Sequence, residues 1–164
     1  MVSPDGGPIE TAATVNATGH ATLGTILTDS DGNSLYLYTR DEREVSNCAR
    51  TCALAWPPVL AVGDPAAGEG LSEDRIGSIS RGDGAKQVTY NGWPLYYFAP
   101  DGKSGDTLGQ DRGEVWFVLT TDGGAVYTNT PVNATENSEQ GIILTDVAGR
   151  SLYLYDRYEP NVSN

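Results

Sequence analysis

Cys48 and Cys52 stand four residues apart in a chain of 164 residues that carries a single histidine, His20. A covalently attached haem needs Cys-x-x-Cys-His; here the spacing is one residue longer and Ala53 follows, so that chemistry is excluded. A zinc site takes four ligands, and two cysteines with one histidine do not make a usual set. His20 has no second histidine to support it and reads as an exposed bystander, so no Ser-His-Asp or Cys-His nucleophile is in view. Three fates stay open for the two thiols: a bridge to each other, a redox-active pair, or metal ligation. Cα atoms four apart on a helix lie ~6 Å from one another, inside the range a disulfide accepts.

Oxygen-bearing residues come next. Asp29-Ser30-Asp31-Gly32-Asn33 sets oxygens at alternating positions, as part of a calcium loop does. The same spacing suits a hairpin turn without any ion, and a later copy of this stretch, Asp146-Val147-Ala148-Gly149-Arg150, lacks two of the three oxygens and adds a cation. Asp101, Ser104, Asp106, Gln110 and Asp111 form a second oxygen-rich stretch with no recognised coordination spacing. No metal and no cofactor are therefore expected. Asp41 and Asp101 each follow a tyrosine by five positions, Tyr36 and Tyr96. Two such carboxylates could form an acid/base pair. The simpler expectation is that each ends a strand, accepting bonds from loop amides or a tyrosine hydroxyl. Tyr36, Tyr38, Tyr90, Tyr96, Tyr97 and Tyr127, with Trp56, Trp93 and Trp116, must divide between core and surface. With only two Phe in the chain, filling space is their first expected task; contact with glycans or proteins, or electron relay, is the sharper one.

The elements that position these residues repeat. Residues 15–47 and 132–164 align without a gap at an offset of 117: Val15-Asn16-Ala17-Thr18 matches Val132-Asn133-Ala134-Thr135, and Ser34-Leu35-Tyr36-Leu37-Tyr38 matches Ser151-Leu152-Tyr153-Leu154-Tyr155. A shorter echo relates residues 31–38 to 90–98, each a Gly-containing turn followed by alternating bulky residues. The pattern predicts strands near 22–28, 34–39, 76–79, 86–90, 94–98, 115–119 and 125–128. It also predicts one short helix from about Asn47 to Ala55, capped by Ser46 or Asn47 and ended by Trp56-Pro57-Pro58. The expected organisation is a flexible leader over 1–20, one module over 21–128, a linker over 129–140 and the truncated start of a second module over 141–164. The orphaned apolar residues of that second start are expected to find cover by strand addition, at an edge of their own module or of a neighbouring chain.

Twenty-two acidic residues face ten basic ones, a net charge of −12, which argues against nucleic acid as a partner. Only Lys86 and Lys103 are lysines, as suits either a protein bathed in high salt or an ordinary acidic secreted domain. No apolar run approaches the ~20 residues that a membrane-spanning helix needs. Three Asn-x-Ser/Thr sequons, at Asn16, Asn133 and Asn161, are candidate glycosylation sites and suit a secreted polypeptide whose leader was removed.

The segment from Leu23 to about Tyr127 resembles the family described as the secreted repeat of unknown function, whose members are predicted lipoproteins and exported proteins with tandem Tyr-x4-Asp motifs. The motif occurs as Tyr36 to Asp41 and as Tyr96 to Asp101. Ser46-Asn47-Cys48, Ala55-Trp56-Pro57-Pro58, Pro94-Leu95-Tyr96-Tyr97-Phe98, Gly105-Asp106, Gly109-Gln110 and Val115-Trp116 add to the likeness. The later copy departs from it, since Tyr158 stands where Asp is expected after Tyr153. The resemblance implies export and a β-rich fold and no known activity. In an exported chain the two thiols are expected to oxidise to each other, fixing the turn that delivers Trp56. The combined expectation is an all-β fold, a small antiparallel, barrel-like module built of hairpins with one short helix. It would act outside the cell or at its surface as a non-catalytic binding or structural unit, its partners being itself, other surface proteins or glycans. The rival is a redox- or metal-associated extracytoplasmic module.

Overall fold

The computed structural model describes residues 12–128, 133–139 and 141–145. The chain divides into two compact units, Met1–Val126 and Tyr127–Asn164. The first contains β1 (Thr14–His20), β2 (Gly24–Thr28), β3 (Tyr36–Tyr38), α1 (Thr51–Ala55), β4 (Ala66–Ala67), β5 (Ile76–Ser80), β6 (Lys86–Tyr90), β7 (Trp93–Pro94) and β8 (Trp116–Val118), with a 3-10 turn at Glu73–Arg75. The strands form small sheets in the orders β2-β1-β4, β3-β8 and β5-β6-β7. Every named pairing is antiparallel except β1 with β4. The fold is thus an all-β module of hairpins with one short helix; among the described residues no sheet closes into a barrel.

The order of elements runs twice, at an offset of sixty residues. The β1–β2 hairpin corresponds to β5–β6, β3 to the stretch around Tyr96, and Pro57–Leu60 to the stretch that β8 begins. The two runs are sewn to each other rather than stacked side by side. Tyr36 N–H donates to Tyr96 O at 2.9 Å and Tyr96 N–H to Tyr36 O at 3.0 Å. Thr39 N–H donates to Val115 O, and Ala99 N–H to Ala55 O. Each hairpin's second strand takes its neighbour from the end of the opposite run: Leu27 N–H donates to Leu119 O, and Val88 N–H to Val59 O. Ile26 and Leu27 are buried although adjacent, because β2 has protein on both faces. One core gathers Val15, Leu27, Leu35, Val59, Val88, Leu95 and Leu119; the other gathers Ile26, Tyr36, Cys48, Trp56, Tyr96, Phe98, Trp116 and Val118.

Several boundaries differ from expectation. Residues 14–20, assigned by sequence to a flexible leader, form β1. Val15 is buried there, and Thr18 and Thr28 share a cross-strand hydrogen bond between their hydroxyls at 2.7 Å. The helix covers Thr51–Ala55 rather than 47–55, and neither Ser46 nor Asn47 caps it. Asn47 is engaged elsewhere: its amide N–H donates to Asp41 Oδ1 and its side chain to Arg40 O. Of the strand expected at 125–128, Ala125 makes a bridge to Leu119.

The second unit has β9 (Asn133–Asn137) inside the stretch assigned to the linker, paired antiparallel with β10 (Gly141–Thr145). Its register, Asn133 opposite Thr145, copies that of Asn16 opposite Thr28. Gly24 and Gly141 both lie in the left-handed region, at φ 75° and 76°, which favours glycine after each turn. The expected partner stretch at 151–155 lies outside the described residues.

Candidate functional site

The two Tyr-x4-Asp motifs meet at the centre of the first unit, and they exchange partners. Tyr36 OH donates to Asp101 Oδ2 at 2.7 Å, and Tyr96 OH donates to Asp41 Oδ2 at 2.7 Å. Spacing explains the exchange. After each strand the chain makes a tight turn, with Asp41 N–H donating to Tyr38 O and Asp101 N–H to Phe98 O, both at 3.0 Å. That turn swings the carboxylate to the end of its own strand. The reciprocal Tyr36–Tyr96 pairing lays the strands antiparallel, so the opposite tyrosine's hydroxyl arrives there. The second oxygen of each carboxylate takes a loop amide, Asn47 N–H on Asp41 Oδ1 and Leu108 N–H on Asp101 Oδ1.

Both tyrosines are fully buried. Burial, reinforced by Asp101, holds the Tyr36 phenol far above its ordinary range. Burial does the same to Tyr96, against a bond shared with Ser46 that lowers it. Burial also raises Asp41 and Asp101, opposed by the amides and hydroxyls that bond them. A general acid or base needs a proton or lone pair facing a reactant. Here each carboxylate engages both oxygens with donors of the chain itself.

Around this exchange the aromatic rings form one stack. Trp56 and Trp116 lie face to face with centroids 3.9 Å apart, Tyr38 covers Trp116 at 4.2 Å, and Phe98 covers Trp56 at 4.2 Å. Tyr36 meets Trp56 edge-on at 5.3 Å, and Tyr96 meets Trp116 edge-on at 5.1 Å. Edge-to-face and offset contacts of this kind add to the stabilisation that burial alone supplies.

Cys48 and Cys52 are disulfide-bonded, with Cα atoms 5.3 Å apart. Beside them sits a residue the sequence did not flag. The Arg81 guanidinium is buried and donates to Ser46 Oγ, Gln87 Oε1, Cys48 O and Asp83 Oδ2. Adjacent to Gly82-Asp83-Gly84, Arg81 looks like a solvated turn residue; nothing local marks it as the cation of an interior network. His20 is not a bystander either. Its Nδ1 accepts the amides of Thr22 and Leu23 and closes the β1–β2 turn.

Asp29 organises its own turn, accepting the amides of Asp31 and Asn33 at Oδ1 and the Asn33 side chain and Tyr97 OH at Oδ2. Asp106 Oδ2 accepts the amides of Gly102 and Lys103. Among the described residues no group of three or more His, Cys, Asp or Glu is placed to hold a metal ion. The motif reaches the surface in a cavity of about 420 Å³ lined by Asp29, Asn33, Ser34, Tyr97, Phe98, Ala99 and Asp101. Of the sequons, Asn16 is engaged in β1, its side chain donating to Asp29 O at 3.3 Å. Asn133 begins β9, and Asn161 lies outside the described residues.

Among the described residues no helix is long and apolar enough to cross a membrane. No curated protein and no solved structure matches the chain. A family model described as a secreted repeat of unknown function matches it twice, at residues 17–60 and 77–120. Those bounds are the two runs of elements described above, each with one Tyr, one Asp and one Trp of the central exchange. The chain belongs to the family of the secreted repeat of unknown function, and its first unit is two copies of that repeat locked into one another.

Proposed function

We propose that the chain is a non-catalytic module that works outside the cell or at its surface, as a structural and binding unit of a tandem array. The observation that supports this reading is the crossed Tyr36–Asp101 and Tyr96–Asp41 pairing. The polar groups that the repeat carries in both copies hold the copies together, which leaves recognition to the surface. The partners are other copies of the chain, other surface proteins or glycans. Self-association is the most testable of these. In the second unit Ile142 and Leu144 are 76% and 55% exposed, whereas Leu27, the counterpart of Leu144, is wholly buried. A two-stranded hairpin is marginal in water, and an apolar edge invites strand addition.

Light scattering of the full chain across a concentration series is the test. Association is expected, and Leu144→Lys should abolish it while leaving the near-ultraviolet circular dichroism of the stacked tryptophans unchanged. A full chain that stays monomeric throughout would remove self-assembly from the proposal. A second reading, an extracytoplasmic module with redox chemistry of its own, is favoured by the Cys48–Cys52 bridge.

A further inference from the structure

The turn that the disulfide closes has an internal control. Cys52 N–H donates to Ala49 O at 3.2 Å, and Trp56 N–H to Cys52 O at 2.8 Å. Sixty residues on, Arg112 N–H donates to Gly109 O at 3.2 Å, and Trp116 N–H to Arg112 O at 3.3 Å. The two turns seat Trp56 and Trp116 against each other. One turn carries the Cys48–Cys52 bridge; its twin has Leu108 and Arg112 at the same positions and ties them by a hydrogen bond from Arg112 Nε to Leu108 O. The covalent bond is therefore not what shapes the turn or delivers the tryptophan. A bridge across so short a loop also restricts the unfolded chain least.

The surroundings of the two sulfurs differ. Cys48 is 0% exposed, packed in the cluster of Trp56 and Tyr96, and its carbonyl is held by Arg81 Nη2 at 2.9 Å. Cys52 lies in α1 and is half-buried. Cys48 is thus anchored by contacts that do not need the bridge, and Cys52, packed at the edge of the same cluster, is the more exposed residue of the two.

We propose that Cys48–Cys52 is a thiol–disulfide exchange site that opens and closes within the folded module, its partner a thiol reductant. This goes beyond the structural reading and does not depend on self-association. A thiolate of the reductant attacks Cys52 Sγ; a new S–S bond forms to the reductant as the Cys48–Cys52 bond breaks, and the electron pair goes to Cys48 Sγ, which takes a proton from solvent. A second reductant thiolate then attacks the reductant sulfur of the mixed disulfide. Cys52 leaves as a thiolate and is protonated, and the reductant departs oxidised. Two electrons and two protons have entered the protein, and the reverse sequence returns them. The fixed charge of Arg81 stands beside the residue whose sulfur leaves.

The test uses the full chain, dithiothreitol over a range of concentrations, alkylation to trap thiols and mass spectrometry to count them. Opening is expected to speed up in proportion to dithiothreitol without a plateau. The reduced protein should keep the near-ultraviolet circular dichroism of the tryptophan stack. A rate that levels off, limited by unfolding, would overturn the proposal, as would loss of that signal together with the bridge. Run with reduced glutathione and with a protein dithiol, the same assay assigns the reductant: reaction with either supports the site, and reaction with neither overturns it. Replacing Cys48→Leu and Cys52→Arg, the residues of the twin turn, should leave the chain folded. With one cysteine kept, Cys52 in Cys48→Ala should react with a disulfide reagent at least about tenfold faster than Cys48 in Cys52→Ala. Equal or reversed rates would overturn the assignment of Cys52 as the entry point. If either variant fails to fold, the concentration dependence in the unaltered chain still decides.

Discussion

Residues 17–60 and 77–120 reach the same geometry with side chains that agree at some positions and differ at others. Leu35 and Leu95, Tyr36 and Tyr96, Asp41 and Asp101, and Trp56 and Trp116 are the same residue types, and each of these touches the opposite copy or the shared core. Of the residues that differ, some serve their own copy and others reach across, as Arg81 of the second does to Ser46 and Cys48 of the first. Cys48 and Cys52 bridge one turn; Leu108 and Arg112 stand in the other, where the Arg112 guanidinium also lies 5.2 Å over the Phe98 ring. The Tyr96 hydroxyl shares a bond with Ser46, while the Tyr36 hydroxyl accepts the Gly109 amide. The residues that agree carry the exchange and the stack that both copies share, and the residues that differ support that arrangement with different partners in each loop.

The largest effect should come from the tryptophans. Trp56→Ala and Trp116→Ala each remove the centre of the stack, and each should cost about 3–5 kcal/mol in urea unfolding. Near-equal losses would sharpen the equivalence of the copies. A loss confined to one would break it, and would mean that the stack rests on a single copy.

The crossed pairs come second. Tyr36→Phe, Tyr96→Phe, Asp41→Asn and Asp101→Asn should each cost about 1–3 kcal/mol, because each leaves a buried group short of a partner. Double-mutant cycles should show coupling of about 0.5–3 kcal/mol for Tyr36 with Asp101 and for Tyr96 with Asp41. Tyr36 with Asp41, neighbours in sequence, should couple less than either crossed pair. Coupling concentrated within each motif would refute the exchange.

The difference between those two sets of pairs marks how far the sequence could be read. The twofold Tyr-x4-Asp spacing and the echo between 31–38 and 90–98 announced two equivalent hairpins; the third, announced at 141–156 by the offset of 117, has its second strand outside the described residues, and the hairpin β9–β10 falls partly in the stretch assigned to the linker. That Asp41 serves the opposite tyrosine was not legible, because it depends on a pairing across sixty residues that no local pattern encodes. The short helix was placed, but its start was misjudged: Ser46 and Asn47 resemble caps, while in the fold they bond Tyr96, Asp41 and Arg40. Strand β1 was missed because its Asn, Ala, Thr and Gly residues offer little apolar signal; Val15 and the Thr18–Thr28 bond hold it in place. Arg81 escaped notice since its partners are scattered over forty residues of sequence.

Titration offers a milder perturbation of the same pairs. Asp41 and Asp101 have folded-state pKa values raised by burial, so their contribution favours the fold while they are protonated and is lost as pH rises through those values. Asp83 and Asp122 are lowered, Asp83 chiefly by the Ala85 amide and Asp122 chiefly by Thr120, so their contribution is lost as pH falls. The two sets oppose each other on the acid side. On the alkaline side, Tyr36, Tyr96 and Tyr97 all lie above their ordinary value of 10.0, chiefly through burial. Their contribution is complete below that value and is lost as pH rises beyond it. Absorbance at about 295 nm should show these three phenols ionising only with unfolding, in one cooperative step. Early, independent ionisation of Tyr36 or Tyr96 would mean that one half of the exchange is open.

The smallest effect is expected where the copies differ most freely, in the turns that open their hairpins. In β1–β2 the turn is closed by His20, whose Nδ1 accepts the amides of Thr22 and Leu23 at 3.3 and 3.2 Å. The corresponding turn before β6 uses Asp83, whose Oδ1 accepts the Ala85 amide at 3.1 Å. The position equivalent to His20 before β10 is Asn137 in the sequence. The two hairpins of the first unit thus close with two different residues, as expected if the turn itself needs only an acceptor. His20→Asn should therefore shift stability by no more than about 0.5 kcal/mol, within the range of an ordinary surface change. His20→Ala, which leaves both amides to water, should cost about 1 kcal/mol. The two thermal midpoints, measured side by side, decide the matter. If Asn proves as damaging as Ala, the imidazole does something in this turn that an acceptor alone does not, and the freedom inferred for the local devices of each copy would not extend to the first hairpin.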